Sequence, residues 1–253
     1  MSGTGGLAGK VALVTGAGRG IGFAIGAALG RQGARVAIND LKLADAQQAV
    51  ELLRKDGIEA IALPGNVTVA ADTDAIVRQT EERFSRFDIL INNAGVLRPT
   101  RAEFIPDEEW DFVIDGNLKS TFLCCRAAIP ALRRAGGGSI VNMSSSAGKS
   151  VSTIGGAHYT AAKAAVLGLT RHLARELAAD RIRVNAVCPG LIDTEMVRST
   201  IAQEKIDAYA ASFPARRLGL PSEVADLVVF LASTNASYIT GASCDVNGGD
   251  LTI

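Results

Sequence analysis

Short apolar runs rich in β-branched residues recur along the chain: Lys10–Thr15, Arg35–Asn39, Ala60–Leu63, Ile89–Asn92, Ser139–Met143, Arg183–Val187 and Ser243–Val246. Most are near-continuous Val, Ile and Ala, the pattern of a strand covered on both faces by helices. Longer stretches of helical period lie between them. Ala44–Lys55 carries Ala49, Val50, Leu52 and Leu53 and stops before Gly57; Asp72–Phe84 sets Ile76 and Val77 among charges. Tyr159–Ala179 is long, amphipathic and rich in Ala and Leu, and Ser222–Ala232 starts behind Pro221, a helix-entry signal. Strand and helix in alternation predict an α/β fold, an open doubly wound parallel sheet of about seven strands with helices on both faces. Gly136–Gly138 reads as a tight connection into the fifth strand. With no long linker and no internal repeat, residues 1–253 read as a single domain.

Composition narrows the function. Apolar residues make up 48% and charged residues 21%, a globular balance. Lys+Arg and Asp+Glu are both 26, so there is no basic surplus to neutralise a nucleic-acid backbone, and no nucleic-acid partner is expected. No apolar run reaches the roughly 18 residues of a membrane span, and Met1–Gly6 lacks the form of a signal peptide. The four cysteines, Cys124, Cys125, Cys188 and Cys244, show no metal-ligand spacing and read as reduced, mostly buried thiols of a cytoplasmic protein without a structural metal.

Chemistry enters after the first strand, at Thr15-Gly16-Ala17-Gly18-Arg19-Gly20-Ile21-Gly22. Glycines let the backbone turn tightly against a pyrophosphate, and the helix that follows offers free N–H groups and the positive end of its dipole. The spacing is G-x-x-x-G-x-G through Gly16, Gly20 and Gly22; Ile21 stands where the commoner dinucleotide fingerprint has its third glycine. A glycine-rich turn without a ligand is the alternative, and the position directly behind a buried strand favours the ligand. Asp40, 18 residues after Gly22, ends the second strand where an acid accepts hydrogen bonds from an adenosine ribose. A carboxylate there repels a 2′-phosphate and favours NAD over NADP. Arg19 pulls the other way, and Asp40 is weighted more heavily.

Tyr159 and Lys163 are one turn apart at the start of a strong helix. An ammonium beside a phenol stabilises phenolate, so a lowered tyrosine pKa is expected, suited to proton exchange with an alcohol or carbonyl. Ser144-Ser145-Ser146 ends the fifth strand about a dozen residues upstream, where a hydroxyl can hydrogen-bond a substrate oxygen or simply cap a turn.

Thr15-Gly16…Gly20-x-Gly22, Asn92-Asn93-Ala94-Gly95, Asn117, the serine cluster, Tyr159-x-x-x-Lys163 and Pro189-Gly190 occur in that order. Together they resemble a short-chain dehydrogenase/reductase of the single-domain type of about 250 residues, with a Rossmann-like fold. The resemblance implies a tetrad of Asn117, Ser145, Tyr159 and Lys163. In it Tyr159 is the general acid/base and Ser145 orients the reacting oxygen. Lys163 lowers the tyrosine pKa and binds the nicotinamide ribose, and Asn117 holds a kinked helix and a relay water. It further implies that Asp40 and Leu41, Asn66 and Val67, and Asn93, Ala94 and Gly95 line the adenosine side. Pro189, Gly190, Ile192 and Thr194 then cover the nicotinamide. Two departures stand out. Asn66-Val67 replaces the usual Asp-Val, and Ser145 lies 14 residues before Tyr159, one more than the commonest spacing, which leaves Ser146 as the rival serine.

Of the remaining residues, His158 is expected to fill space beside the site rather than act in it. Glu108-Glu109-Trp110 suggests a helix that half-buries Trp110, the only tryptophan. Glu195–Phe213 looks like the family's mobile substrate lid, its Met196, Val197, Ile201, Ile206, Tyr209 and Phe213 offering apolar contacts to a substrate. The expected activity is NAD-dependent hydride transfer to or from a small secondary alcohol or ketone. The alternative is an NADPH-dependent 3-oxoacyl thioester (carrier-protein) reductase, for which Arg133 and Arg134 offer a basic surface while Asp180 and Asp40 argue against it. The resemblance also implies a homotetramer through two long helices, about Asp107–Arg134 and Tyr159–Ala179, and the C-terminal strand region, with Asp250–Ile253 against a neighbouring subunit.

Overall fold

The structure is a computed structural model and describes residues 6–253; the leader assessment at the N-terminus falls largely outside them. The elements run β1 (Val11–Val14), α1 (Gly20–Arg31), β2 (Arg35–Asp40), α2 (Leu43–Lys55), β3 (Ala60–Pro64), α3 (Ala70–Phe84) and β4 (Ile89–Asn92). They continue with α4 (Asp107–Ile114), α5 (Ser120–Arg134), β5 (Gly138–Met143), α6 (Ala157–Glu176) and β6 (Ile182–Pro189). The chain then forms α7 (Glu195–Thr200), α8 (Gln203–Ser212), α9 (Pro221–Ala232) and β7 (Ser243–Val246).

The seven strands form one parallel sheet in the order β3-β2-β1-β4-β5-β6-β7. Side chains alternate between its faces, and both faces are apolar. Ala12 and Val14 join Ile25, Leu29, Val50 and Val228 in the layer under α1, α2 and α9. Val11 and Leu13 join Ile76, Phe84, Leu132 and Leu173 in the layer under α3, α5 and α6. Each buried Leu, Ile or Phe contributes ~1.5–3 kcal/mol by leaving water, which explains why the strands read as continuous apolar runs. The order reverses between β1 and β4, and a crevice opens there beyond the carboxyl ends of the strands.

One expected element is broken. The helix foreseen over about Asp107–Arg134 is interrupted by a π-type turn, Asp115–Lys119, between α4 and α5. Its wider spacing leaves carbonyls that side chains satisfy: Ser120 Oγ donates to Gly116 O (2.9 Å) and Thr121 Oγ1 to Asn117 O (2.8 Å). Among the described residues, no helix is long and apolar enough to cross a membrane, and no His, Cys, Asp and Glu group could hold a metal.

Candidate active site

Every residue expected to hold the cofactor, the four tetrad residues and Met196 line one cleft of about 650 Å³ at this switch point, whereas Ile201, Ile206, Tyr209 and Phe213 lie outside it. That size suits a cofactor and a small substrate. Thr15 knits its floor. Thr15 Oγ1 donates to Ile91 O (3.4 Å) and accepts the N–H groups of Asn93 and Ala94 (3.1 Å each), joining the ends of β1 and β4. Gly22 lets the loop close. A Cβ there would sit 2.5 Å from both Asn93 Nδ2 and Gly16 O. Helix α1 starts at Gly20 without a side-chain cap, so its first N–H groups remain for an anion in the cleft; this glycine-floored, uncapped helix start fits a dinucleotide pyrophosphate.

The end of the cleft expected to take the adenosine differs in detail from expectation. Asn93 does not simply line the ribose side; its Nδ2 donates to Thr15 O (3.0 Å) and Gly16 O (2.9 Å) and braces the loop from behind. Asn66 Oδ1 is occupied by the N–H and hydroxyl of Thr68 (3.0 and 2.9 Å), so its acceptor side is spent on a local turn. Asp40 Oδ2 accepts the Gly18 N–H at 3.0 Å, and Asp45, which the sequence reading missed, lies beside it in the first turn of α2. Arg19 turns away from this pair toward the lid, reaching Glu195 Oε2 at 3.3 Å.

The tetrad residues converge on the cleft floor. Asn117 sits in the π-type turn. Its Nδ2 donates to Val113 O and Val96 O (2.8 Å each), and its Oδ1 accepts the Val96 N–H at 3.3 Å. It thereby fastens the turn to the segment after β4. A Cβ at Gly95 would lie 2.8 Å from Asn117 Oδ1 and 3.4 Å from Lys163 Nζ, so only glycine fits between them. The end of β5 addresses the start of α6 residue by residue. Met143 O accepts Lys163 Nζ (3.0 Å), Ser144 Oγ donates to Lys163 O (2.8 Å), and Ser145 faces the Tyr159 phenol. Ser146 opens the single helical turn that follows, with Ser145 Oγ accepting the Ala147 N–H at 3.1 Å.

The electrostatics differ from the sequence reading. Burial raises the Tyr159 pKa above its ordinary value, and Ser145 offsets this only in part. Lys163 Nζ, 5.7 Å from the ring centroid, donates to the Met143 carbonyl at 3.0 Å. Burial penalises its charge and brings its pKa down to about 8.

The far wall is Pro189, Gly190, Ile192 and Thr194, running from the end of β6 into the lid. Thr194 Oγ1 accepts the Val197 N–H at 3.3 Å and caps α7, a role the sequence reading did not assign it. The segment expected to act as a lid forms α7 and α8, held at its base where Ile192 pairs with Gly219. Most of its apolar residues do not await a substrate. Ile201, Ile206 and Phe213 are buried with Leu191 and Val197 in a small core of their own, while Val197 also lines the cleft and Met196 is exposed on its wall. Phe112, Ile154 and Asp250 also line the cleft and were not foreseen; Asp250 arrives from the C-terminal tail, for which no local pattern is a signal.

Comparison with known proteins agrees with this geometry. The family model described as enoyl-(acyl carrier protein) reductase matches residues 16–250. The chain is 41% identical over 241 residues to a 3-oxoacyl-[acyl-carrier-protein] reductase of Staphylococcus aureus, covering 95% of this chain and 97% of that one. It superposes on a 3-oxoacyl-[acyl-carrier protein] reductase of Brucella melitensis with bound NAD at a TM-score of 0.88, with 39% identity and coverage of 95% and 90%. A short-chain type dehydrogenase/reductase of Mycobacterium marinum gives a TM-score of 0.94 at 32% identity, covering 98% of each chain. The chain belongs to the short-chain dehydrogenase/reductase family of NAD(P)-dependent oxidoreductases.

Proposed function

We propose that this enzyme reduces the 3-oxo group of an acyl thioester, with NAD(H) as its cofactor. One observation carries the reading: Ser145 and Tyr159 present two hydroxyls to one point on the cleft floor, in a chain 41% identical to a 3-oxoacyl-[acyl-carrier-protein] reductase. Two hydroxyls at one point suit a carbonyl oxygen better than a carbon–carbon double bond.

Ser145 orients the oxygen by hydrogen bonding, and Tyr159 gives it a proton as charge develops there. Lys163 keeps positive charge near the phenolate left behind, and Asn117 keeps the floor in place. The nicotinamide supplies the hydride when bound. Asp40 and Asp45 flank the ribose end, while Arg19 is engaged with Glu195; both features disfavour a 2′-phosphate.

A second reading, a small secondary alcohol or ketone as substrate, is favoured by the placement of Arg133 and Arg134. They close α5 at the opposite end of β5 from the cleft, paired with Asp180 and Glu81. A homotetramer built on α5 and α6 is part of the proposal, and light scattering tests it. The deciding experiment compares reduction of an acetoacetyl thioester with reduction of cyclic and aryl ketones, each with NADH and NADPH. Thioester turnover with NADH supports the proposal. Turnover confined to simple ketones moves the substrate to the second reading, and NADPH-only turnover overturns the argument from Asp40.

A further inference from the structure

The proposed chemistry leaves one buried titratable group without a task. His158, wholly buried, precedes Tyr159 in the first turn of α6, and both ring nitrogens are engaged. The Tyr159 N–H is shared between Gly156 O (3.1 Å) and His158 Nδ1 (3.0 Å). Because Nδ1 accepts there, the ring proton sits on Nε2, which points to Glu109 Oε1 at 3.0 Å. Glu109 lies on α4, and hydrogen bonding from Thr100, with His158 and Arg98 adding to it, holds its carboxyl below the usual range, so it stays an acceptor.

The ring is enclosed by protein, with Gly156 against it. Its centroid is 6.4 Å from that of Trp110, and a Cβ on Gly156 would approach its Cε1 to 2.7 Å. Helix α4 therefore meets the site twice. It leads into the turn that holds Asn117, and through Glu109 and His158 it holds the backbone of Tyr159.

We infer that His158 is a positioning residue of the reaction: neutral, with its proton on Nε2 toward Glu109, it fixes the first turn of α6 and hence the direction of the Tyr159 phenol. The inference rests on Tyr159 being the proton-exchanging group. A histidine that only fills space has no need of this tautomer, and that difference is measurable.

The protein has only two histidines, His158 and His172, so imidazole ¹⁵N spectra of the labelled chain are readily assigned. The expected state of His158 is Nδ1 bare and Nε2 protonated; a proton on Nδ1 overturns the inference. Two variants then divide the ring's functions in acetoacetyl thioester reduction. His158→Asn keeps an acceptor at the place of Nδ1, whereas His158→Gln keeps only a donor at the place of Nε2. His158→Asn is expected to retain kcat within about threefold, and His158→Gln to lose about tenfold or more, with KM little changed in either, as for misorientation of a reacting group. Equal kcat in the two variants overturns the inference. Should either fail to fold, Glu109→Gln, which releases the tautomer without touching His158, is expected to lower kcat severalfold at unchanged KM; an unchanged kcat overturns it. Tyr159→Phe serves as the control. If it retains turnover the proposed chemistry itself fails, a result distinct from an inactive Tyr159→Phe beside indifferent His158 variants.

Discussion

The Asp40 carboxylate holds the Gly18 N–H at 3.0 Å, so one side chain both shapes the glycine loop and places negative charge at the end of the cleft proposed to take the ribose. The two roles separate in Asp40→Asn, which keeps an acceptor for Gly18 and removes the charge. The ratio of kcat/KM with NADPH to that with NADH is expected to rise by about tenfold or more, the scale of relieving one partly solvent-screened like-charge contact. Steady-state kinetics with both cofactors check this, and an unchanged ratio would show that selectivity resides elsewhere.

Tyr159→Phe removes the proposed proton donor and leaves the ring's packing in place. Turnover is expected to fall by ~10²–10⁴, the usual contribution of general acid catalysis. NADH binding, followed by its fluorescence, is expected to stay within about twofold. Loss of binding would mean that Tyr159 holds the cofactor more than it moves the proton.

Lys163 carries a cost in stability. Its pKa falls from 10.5 to about 8 on folding, so below pH 8 the folded protein bears a buried ammonium that the unfolded chain does not. Between about pH 8 and 10.5 the unfolded state binds the extra proton, and the wild type gains stability as pH rises. Lys163→Met is thus expected to be inactive yet more stable at pH 7. The shift corresponds to at most about 3 kcal/mol, reduced by about 1 kcal/mol because Met143 O loses its donor. Calorimetry should show a melting point several degrees above wild type at pH 7, the gap narrowing toward pH 10. A gap independent of pH would point to packing instead.

Gly95→Ala tests the spacing of the floor. The added methyl meets Asn117 Oδ1 at 2.8 Å and Lys163 Nζ at 3.4 Å, and β4 pins the backbone behind it. A displacement of this size is expected to cost ~10²-fold in kcat, with little change in far-UV circular dichroism. Near-wild-type kcat would show that the floor yields.

The sheet was legible in the sequence because it obeys local rules. Val11–Val14 and Ile89–Asn92 are buried on both faces, and that leaves an unbroken apolar signature. The glycine loop, Asp40 and the Tyr159/Lys163 pair were legible through fixed spacing on a known kind of element. What escaped depends on partners remote in sequence. The kink at Asn117 was expected only through the family resemblance; the bonds that hold it, from its amide to Val96, 21 residues away, are announced by nothing in Asp115–Lys119. Val197 and Ile206 show the same apolar periodicity whether they face a substrate or one another. The phenol's raised pKa reflects how closely protein surrounds it, a property of the fold rather than of the four-residue spacing to Lys163.

The lid's private core has a consequence for how such an enzyme diversifies. Because Val197, Ile201, Ile206 and Phe213 hold the flap together without help from the sheet, its framework is insulated from changes on its inner surface. Met196, exposed at that surface, can be exchanged for larger, smaller or polar residues at little cost to the rest of the molecule. Selectivity thereby becomes a nearly independent variable of evolution, adjustable at the rim while the scaffold and the floor of the cleft are inherited unchanged.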